Sequence, residues 1–533
     1  MRIYIAKYGE TLRNIAQRQN VALEELVPLN PQVASPDANL SGRQIKLPPP
    51  SASAGNRITD FKNEWIPLTP LTRMAQTDYD VLIVGSGAGG GAVLWRLCQQ
   101  WGINGKKIGV VEAGDLLLPT HFYNIPTMSH PRAGRYFEKV STPVDQTMFR
   151  ELYAFGGRTL LWGLLAPRMP AFETADWPLP ANELQFYYSI AERAMNVTPF
   201  YQKGSYFTSI LLDRLHNYGF IDAIPFPVAV DQEATKYGQI HSNAAFSSIA
   251  LFAEALNRRP FDLAVNSRAV EIITENKRVA GIRVMSADKK SHVLKAKTVV
   301  LAASTFQTPR LLLASGITGR AIGHYLTTHS LLGIAGYLDR KQFPEVLGNL
   351  GIVIPAREDR PFQLGIDGPP QGYNAYQQYQ IEPLQEQLRI VPGAFGAVES
   401  QFENRVELDS AVRDEFGVPV IHVHFSYSKK DEEVIRQMKE GTLQLLSAVQ
   451  AHPGEGGTFE VGPAVEAIHD SGTCRMGNDP DTSATDRYGQ IHGISGLYVA
   501  DNSVIPSSGT ANPTLTTVAL AIRTADYLIR QLK

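Results

Sequence analysis

A glycine-rich turn between an apolar strand and a helix is the feature that most constrains how this chain folds. Residues 79–84 form an apolar run typical of a buried strand, and a helical pattern follows over residues 92–100. The turn contains a G-x-G-x-x-G pattern, with Gly85, Gly87 and Gly90 at its glycine positions. In such a turn the first glycine makes the bend, the second lets backbone approach a pyrophosphate, and the third lets the helix pack on the strand. The helix N-terminus would then offer free N–H groups to the phosphates.

A second predicted strand supports a dinucleotide site of the flavin type. Residues 107–112 have the pattern of a strand that ends in an acid, Glu112, 27 positions after Gly85. A carboxylate at this place accepts hydrogen bonds from the ribose hydroxyls of an adenosine. Two distant apolar segments, residues 298–303 and 496–501, are predicted to complete the sheet, as is typical of FAD-binding folds. Because no second G-x-G-x-x-G follows, no separate NAD(P)H site is predicted.

Composition excludes several classes of partner and site. The 533 residues exceed what one core usually contains, and a formal charge of −2 gives no electrostatic reason to bind nucleic acid or an anionic membrane. The two cysteines, Cys98 and Cys474, are too few for a disulfide scaffold, and no metal site is expected. No apolar run has the roughly 18–20 residues that span a bilayer. The N-terminal residues show no apolar segment of the signal-peptide type.

Two clusters near the C-terminus contain the residues with the most specific chemistry. His469 opens the segment HDSGTCRMG, and Asn512 lies in ANPTLT, which opens a predicted helix. An imidazole that titrates near neutrality suits the removal of a hydroxyl proton while a hydride leaves the same carbon. A neighbouring amide orients the hydroxyl without competing for its proton. Taken alone, His469 in a turn and Asn512 as a helix N-cap also have ordinary structural roles.

With these clusters and the glycine-rich turn, the chain from about residue 78 to its C-terminus resembles the glucose–methanol–choline (GMC) oxidoreductases. The resemblance implies an α/β fold, with a Rossmann-like FAD-binding domain and an antiparallel-sheet substrate domain. It implies that His469 is the catalytic base, that Asn512 is its partner, and that a helix beginning near Pro513 directs its N-terminal dipole at the flavin. The FAD contacts that it assigns are Gly85, Gly87, Gly90, Glu112, Val270, Asp501, Pro513 and Thr514.

The segment FGGRTLLWG, residues 155–163, is similar to the flavin-contacting segment of pyranose oxidases and related sugar oxidoreductases. The flavin contacts implied within it are Gly156, Gly157, Thr159 and Trp162. Pyranose oxidases have a histidine bonded covalently to the flavin where this chain has Leu161, so FAD is expected to be bound non-covalently. Gly163 replaces a threonine that lies near the flavin in that branch, so the electron acceptor, oxygen or another, is left open.

Residues 1–50 have the pattern of a small separate module. Strands at residues 2–6 and 44–47 and helices near residues 11–19 and 23–29 predict a βααβ order. The pattern, with YGETLRNIAQRQNVALEELVPLNP and the closing GRQIKLP, resembles the LysM module. The resemblance implies binding of a peptidoglycan- or chitin-type glycan; a module whose groove no longer binds glycan is the alternative. LysM without a signal peptide favours a cytoplasmic location, or association with a spore coat or cell wall.

The predicted domains follow from these segments. They are a LysM module at residues 1–50, a linker at 51–76, an FAD-binding domain from residues 77–168, 233–328 and 458–533, and a substrate-binding domain from residues 169–232 and 329–457. Within the last, residues 347–380 are rich in Gly, Pro, Gln and Tyr and are predicted to form a mobile loop region that supplies substrate contacts.

The predicted function is FAD-dependent oxidation of a CH–OH group of a sugar or glycoside, with hydride transfer to flavin N5 and His469 as the base. Two alternatives remain. One keeps the flavin chemistry but takes a non-sugar aliphatic or aromatic alcohol. The other is a glycan-bound structural or coat protein with a passenger flavin domain. This alternative is weakened because the chain keeps His469, Asn512 and the glycine turn.

Overall fold

The computed structural model describes most of the chain. The residues outside its description are 1, 7–8, 20, 49–64, 126–136, 140–148, 232–233, 236–237, 240–243, 345–346, 368–385, 455–458, 463–468 and 533. The chain divides into two compact units, Met1–Pro67 and Leu68–Lys533. Residues 51–64, the greater part of the predicted linker, are among those outside the described part of the chain. Among the helices that are described, none is both long enough and apolar enough to cross a membrane.

The first unit has a core of its own. It consists of β1 (Arg2–Ile5), α1 (Leu12–Gln19), α2 (Leu23–Leu29) and β2 (Gln44–Leu47), and the two strands pair antiparallel. Leu12 and Ile15 lie on one face of α1 and are buried in a cluster with Leu26 of α2. The buried side-chain amide of Asn30 donates to the carbonyls of Leu26 and Lys46, which ties the end of α2 to β2. The predicted βααβ order is confirmed.

The second unit is a mixed α/β structure. Its helices are α3 (Leu71–Met74), α4 (Ala88–Trp101), α5 (Ala181–Ala194), α6 (Tyr206–Tyr218), α7 (Ser248–Arg258), α8 (Ser304–Ala314), α9 (Lys429–Ala448) and α10 (Thr514–Gln531). Its strands are β3 (Asp78–Val84), β4 (Ile108–Val111), β5 (Glu138–Lys139), β6 (Arg150–Glu151), β7 (Val197–Thr198), β8 (Ile224–Pro225), β9 (Val228–Asp231), β10 (Ala234–Thr235), β11 (Gly238–Gln239), β12 (Ala244–Ala245), β13 (Asp262–Ala264), β14 (Ser267–Glu275), β15 (Arg278–Ser286), β16 (Ser291–Leu301), β17 (His329–Gly333), β18 (Gly336–Asp339), β19 (Gly351–Ile354), β20 (Phe362–Asp367), β21 (Gln387–Ala397), β22 (Arg405–Arg413), β23 (Pro419–His424), β24 (His452–Pro453), β25 (Glu460–Gly462) and β26 (Leu497–Val499).

A sheet that contains five parallel strands provides the edge on which the site is built. Over the described residues its order is β13-β4-β3-β16-β15-β14, and β26 also pairs with β16. β13, β4, β3, the second half of β16 and β26 are parallel, which confirms the predicted completion of the sheet by distant segments. Because the carboxyl ends of parallel strands meet at one edge, Gly85, Glu112, Ala302 and Ala500 lie along the same edge.

Close packing explains two glycines of the turn into α4. A Cβ on Gly90 would lie 2.0 Å from the carbonyl oxygen of Gly85 and 3.3 Å from the side chain of Ile83. A Cβ on Gly89 would lie 1.6 Å from the carbonyl oxygen of Ala500. No side chain fits between the helix and the strands at these two positions, so the packing role predicted for Gly90 is confirmed.

An antiparallel sheet forms the other half of the second unit. Its order is β24-β18-β21-β20-β19-β8, and β17 pairs with both β21 and β25. Helix α9 packs on β21, β17 and β20 over a core that includes Leu332, Ile390 and Leu445. The sheet is of the kind expected for a substrate-binding domain, while the domain boundaries stay a prediction.

The prediction of a loop at residues 347–380 is wrong at two places, because β19 and β20 lie within this range. Every residue of β19 is buried, and Phe362, Leu364 and Ile366 alternate toward the core of the second sheet. The apolar residues at every second position indicate a strand, but the glycines, prolines and glutamines around them favour a loop. Residues 368–380 of the predicted loop lie outside the described part of the chain.

Candidate active site

One cavity of about 770 Å³ brings together most of the predicted site residues. Ligand pockets commonly have about 300–1,000 Å³, so the volume of this cavity is that of a small-molecule site. The predicted residues on its wall are Gly85, Gly87, Glu112, Gly157, Thr159, Trp162, His469, Asp501, Asn512, Pro513 and Thr514. Gly90, Gly156 and Val270 are not on the wall.

The turn into α4 fits a phosphate group. The first N–H groups of an α-helix have no intrahelical acceptor. The N-cap of α4 is Gly87, which has no side chain to accept from them. A Cβ on Gly87 would meet nothing within 4 Å. Gly157 approaches it from the other side, with a φ of +53° and with its Cβ position 3.1 Å from the Cα of Gly87. The two glycines therefore give an anion access to bare backbone at a helix N-terminus.

Glu112 lies at the end of β4, where an adenosine ribose is expected. Its Oε2 accepts hydrogen bonds from the N–H of Ser86 at 3.0 Å and from the hydroxyl of Ser86 at 2.6 Å. Its Oε1 accepts from the N–H of Gly114 at 2.8 Å. Burial raises the pKa of Glu112, and these hydrogen bonds oppose the rise. They hold the carboxylate in one place on the cavity wall.

Asp501 and Thr159 line the cavity but are bonded within the protein. Asp501 Oδ2 accepts from the N–H of Ser304 at 3.0 Å and from the hydroxyl of Thr308 at 2.6 Å. Thr159 Oγ1 accepts from the N–H of Ser248 at 2.9 Å. These contacts join the wall to the N-termini of α8 and α7, so each side chain has a clear role in holding the cavity together.

The three predicted residues that are off the wall have other positions. Gly90 lies at the contact of α4 with β3. Gly156 has a φ of +98° and donates its N–H to Ser86 Oγ at 2.9 Å. Val270 lies in β14 where the register with β15 shifts, and its neighbour Ala269 is the residue on the wall.

His469 lies on the cavity wall beside Asn512. Asn512 Nδ2 is 3.4 Å from His469 Nε2, and Gln363 Nε2 donates to Asn512 Oδ1 at 3.3 Å. Since the amide of Asn512 donates, His469 Nε2 acts as the acceptor and has no proton. Burial lowers the pKa of His469 well below its usual range, and neighbouring His329 and Arg158 lower it further. At neutral pH the side chain is thus an uncharged imidazole with a basic nitrogen beside an amide.

Backbone hydrogen bonds hold the 469–477 loop in place. Thr327 and Ser471 exchange two of them, at 3.0 and 2.8 Å, which attaches the loop to the residues before β17. Further along, the N–H of Cys474 donates to the carbonyl of Ser503 at 2.9 Å. The loop therefore spans from the antiparallel sheet to the segment that precedes α10, and His469 and Asn512 meet as a result.

Arg158 and Asp470 form an ion pair next to this site. Arg158 Nη1 donates to Asp470 Oδ2 at 2.9 Å, and the side chain of Asp470 is fully buried. Burial raises the pKa of Asp470 to about 6, although the neighbouring guanidinium opposes the rise. Arg158 also lies on the cavity wall, so it brings a positive charge to the cavity.

Four residues at this site are not predictable from local sequence patterns. Arg158 and Asp470 both lie inside motifs that were recognised, but no local signal shows that they pair. Gln363 lies in the stretch that was predicted as a loop. The only sequence pattern that marks His329 is its position at the start of an apolar strand. In the structure its Nδ1 lies 2.9 Å from His469 Nδ1.

Two further histidines lie on the β22–β23 ribbon. His422 pairs with Asp409 at 2.8 Å, and His424 pairs with Glu407 at 3.0 Å. His422 is half-buried and His424 is exposed. Within the described residues, no grouping of His, Cys, Asp and Glu has the arrangement of a metal site.

Comparisons with known proteins agree with these observations. Family models described as GMC oxidoreductase match residues 104–331 and 400–521. The C-glycoside 3-oxidase of Arthrobacter globiformis is 30% identical over 406 residues, 71% of this chain and 74% of that protein. The 2-methyl-1,2-propanediol dehydrogenase of Mycolicibacterium austroafricanum is 25% identical over 85% of this chain and 95% of that protein. The crystal structure of pyridoxine 4-oxidase from Mesorbium loti has the same fold, with a TM-score of 0.64 and 17% identity over 84% of this chain and 99% of that one.

Proposed function

The chain belongs to the GMC oxidoreductase family, and on that premise we propose that it oxidises a CH–OH group of a sugar or glycoside with non-covalently bound FAD. We further propose His469 as the general base and Asn512 as its partner. One observation carries this proposal. The unprotonated Nε2 of His469 and the amide of Asn512, 3.4 Å apart, lie on the wall of the cavity that the glycine turn and Glu112 also line.

The residues on the wall suit FAD, which when bound supplies the acceptor for a hydride. Gly87, Gly157 and the N-terminus of α4 would hold its phosphates, and Glu112 its ribose. Pro513 and Thr514 begin α10 on the same wall, where the positive end of the helix dipole favours negative charge on a bound group. Leu161 is buried on the wall and has no atom that bonds to a flavin, which supports non-covalent attachment.

The chain's own residues supply the proton chemistry. Oxidation of CH–OH to a carbonyl removes a hydride from carbon and a proton from oxygen. The proton passes to His469 Nε2, which is free to accept it because burial keeps the ring neutral. Asn512 holds the substrate oxygen beside that nitrogen, and Gln363 fixes the direction of the Asn512 amide.

Two lines of support favour a sugar-type substrate. The similarity of FGGRTLLWG to pyranose oxidases is one, and the relative named C-glycoside 3-oxidase is the other. The relative named 2-methyl-1,2-propanediol dehydrogenase, which matches a larger share of the chain, favours the second candidate, a small non-sugar alcohol.

Anaerobic bleaching of the flavin separates these candidates. The purified protein is mixed without oxygen with monosaccharides, C- and O-glycosides, 1,2-diols and simple alcohols, and its visible absorbance is followed. We expect bleaching by a sugar or glycoside at concentrations where diols and simple alcohols have no effect. Bleaching by a diol or simple alcohol alone would assign the second candidate. A yellow protein that no compound bleaches would instead favour the glycan-bound passenger.

For the first unit we propose a LysM-type module that binds a peptidoglycan- or chitin-type glycan. The support is its sequence motif together with a βααβ order around its own core. The test is co-sedimentation of the full chain with insoluble peptidoglycan and chitin, with cellulose as the control. Retention on one of the first two, but not on cellulose, is expected. Equal recovery in all three supernatants would contradict the proposal, and fractionation of the producing cells would test association with a wall or spore coat.

A further inference from the structure

His329 lies behind His469 and outside the cavity wall. The Nδ1 atoms of the two rings are 2.9 Å apart. His329 is buried, with 4% of its surface exposed, and its Nε2 lies 3.2 Å from the carbonyl oxygen of Ser508. The ring of Phe395 packs beside both imidazoles, with centroid distances of 5.8 and 5.6 Å. His329 therefore has a fixed position and touches the proposed base directly.

The course of the main chain explains why the two histidines meet. Thr327 and Ser471 form an antiparallel bridge with hydrogen bonds in both directions. In an antiparallel pair, the residue two places forward on one strand faces the residue two places back on the other, on the same side as the bridge. Two places after Thr327 is His329, and two places before Ser471 is His469. The backbone register thus brings the rings together.

The hydrogen bonds around His329 specify which nitrogens have protons. A backbone carbonyl only accepts, so His329 Nε2 must donate to the carbonyl of Ser508. Burial lowers the pKa of His329 to about 4, and at neutral pH the ring has a single proton. Its Nδ1 is therefore an acceptor, and the proton between the rings belongs to His469 Nδ1. His469 Nε2, the nitrogen beside Asn512, is left unprotonated.

We propose that His329 is a positioning residue that holds His469 in the tautomer with its proton on Nδ1, so that Nε2 is always the base. The proposal rests on the proposed function of His469. Without a partner at Nδ1, a neutral histidine side chain carries its proton mainly on Nε2, the form that cannot accept a proton from substrate at that atom. When His469 takes the substrate proton, His329 can still accept from Nδ1, so the ring keeps its orientation. Arg158, which is paired with Asp470, is the charged group that lowers the pKa of His469 beside this pair of neutral rings.

A pair of variants of similar size tests the role. His329→Asn keeps an oxygen that can accept from His469 Nδ1, whereas His329→Leu fills a similar volume without an acceptor. We expect His329→Leu to lower kcat roughly 10- to 100-fold per bound flavin with little change in KM, and His329→Asn to stay within about fivefold of wild type. The KM is expected to hold because His329 does not line the cavity. Flavin content and thermal stability are measured on both variants.

His329→Asp adds a readout that a role in packing would not move. A carboxylate facing His469 Nδ1 raises the pKa of that imidazole, so the acid limb of the kcat–pH profile is expected to shift to higher pH. A second direct readout is the ¹⁵N spectrum of the histidine rings, with the His469 signals identified by their loss in His469→Ala. A proton on Nδ1 of His469 is expected.

Several results would overturn the proposal. Equal losses in His329→Leu and His329→Asn would show that only the shape of the ring matters, and wild-type kcat in His329→Leu would show that no positioning is needed. A His469 signal with its proton on Nε2 would contradict the proposal even if the variants fold poorly. If His469→Ala keeps full turnover, the proposed function itself fails; if that variant is inactive while His329→Leu is fully active, only the role of His329 fails.

Discussion

At the residue scale, the site is organised around side chains whose burial sets their protonation. The pKa of His329 falls from 6.5 to about 4, while that of Asp470 rises from 3.8 to about 6. The effects on stability have opposite signs. The His329 contribution is present above pH 6.5 and is lost as the pH falls through 4. The Asp470 contribution is present below pH 3.8 and is lost as the pH rises through 6.

The pH dependence of the His329 contribution gives a prediction for His329→Asn. Between pH 7 and 4 the wild-type protein should lose up to about 3 kcal/mol of unfolding free energy relative to the variant, because only the wild type must keep a buried imidazole uncharged at position 329. Urea unfolding at several pH values measures the difference, and the contribution of Asp470 cancels because both proteins contain it. Parallel pH profiles for the two proteins would show that His329 is not held neutral by burial.

Asn512 provides a second prediction at this scale. Asn512→Leu removes the amide beside His469 Nε2 while keeping a similar volume. We expect kcat/KM to fall by about 10- to 100-fold, since leaving a buried polar group without its hydrogen-bond partner costs about 1–3 kcal/mol. Gln363→Leu is the companion variant, because it removes only the donor to Asn512 Oδ1. Its effect should be smaller and in the same direction. A larger loss in Gln363→Leu than in Asn512→Leu would reverse the order of roles assigned to them.

At the scale of elements, the turn between β3 and α4 depends on close backbone packing. Gly90→Ala would place a methyl group 2.0 Å from the carbonyl oxygen of Gly85, a backbone atom that cannot move without displacing the strand. We expect a loss of about 3 kcal/mol in unfolding free energy and weaker retention of FAD.

Gly91→Ala is the matched control on the same helix. Its added Cβ would meet the side chain of Ser248 at 3.0 Å and that of Phe252 at 3.4 Å, and small side-chain shifts relieve such contacts. We expect a change within about 1 kcal/mol, partly offset by the better helix propensity of alanine. Urea unfolding and flavin absorbance measure both variants. Equal effects at the two positions would mean that contact with the Gly85 backbone is not what requires glycine.

Elements with strong local patterns were predictable from the sequence. The strand–turn–helix unit at residues 79–100 has a continuous apolar run, three spaced glycines and a helix, and each feature agrees with the others. The short strands β19 and β20 were not predicted, because glycine and proline nearby outweighed an alternation only a few residues long. Their pairing with other strands of the antiparallel sheet, rather than local propensity, makes them strands.

At the scale of the whole molecule, the site is assembled from segments far apart in the chain. His469 and Asn512 were predicted because each lies in a recognisable motif. The contact between His329 and His469 joins residues 140 positions apart, and the Arg158–Asp470 pair joins residues 312 positions apart. Such pairs depend on strand register and loop attachment, which no local pattern specifies. The sequence therefore identifies the reacting groups, and the fold shows how they are held.

In the proposed mechanism, His469 removes the substrate proton during oxidation. The direct test is the rate of anaerobic flavin reduction by a sugar or glycoside, measured by stopped flow on FAD-loaded wild type, His469→Ala and the control His424→Ala, which changes an exposed histidine on the β22–β23 ribbon. We predict that His469→Ala lowers the reduction rate roughly 10²- to 10⁴-fold with its flavin spectrum intact, while His424→Ala stays within about twofold of wild type. Reduction of His469→Ala at the wild-type rate would show that His469 is not the base.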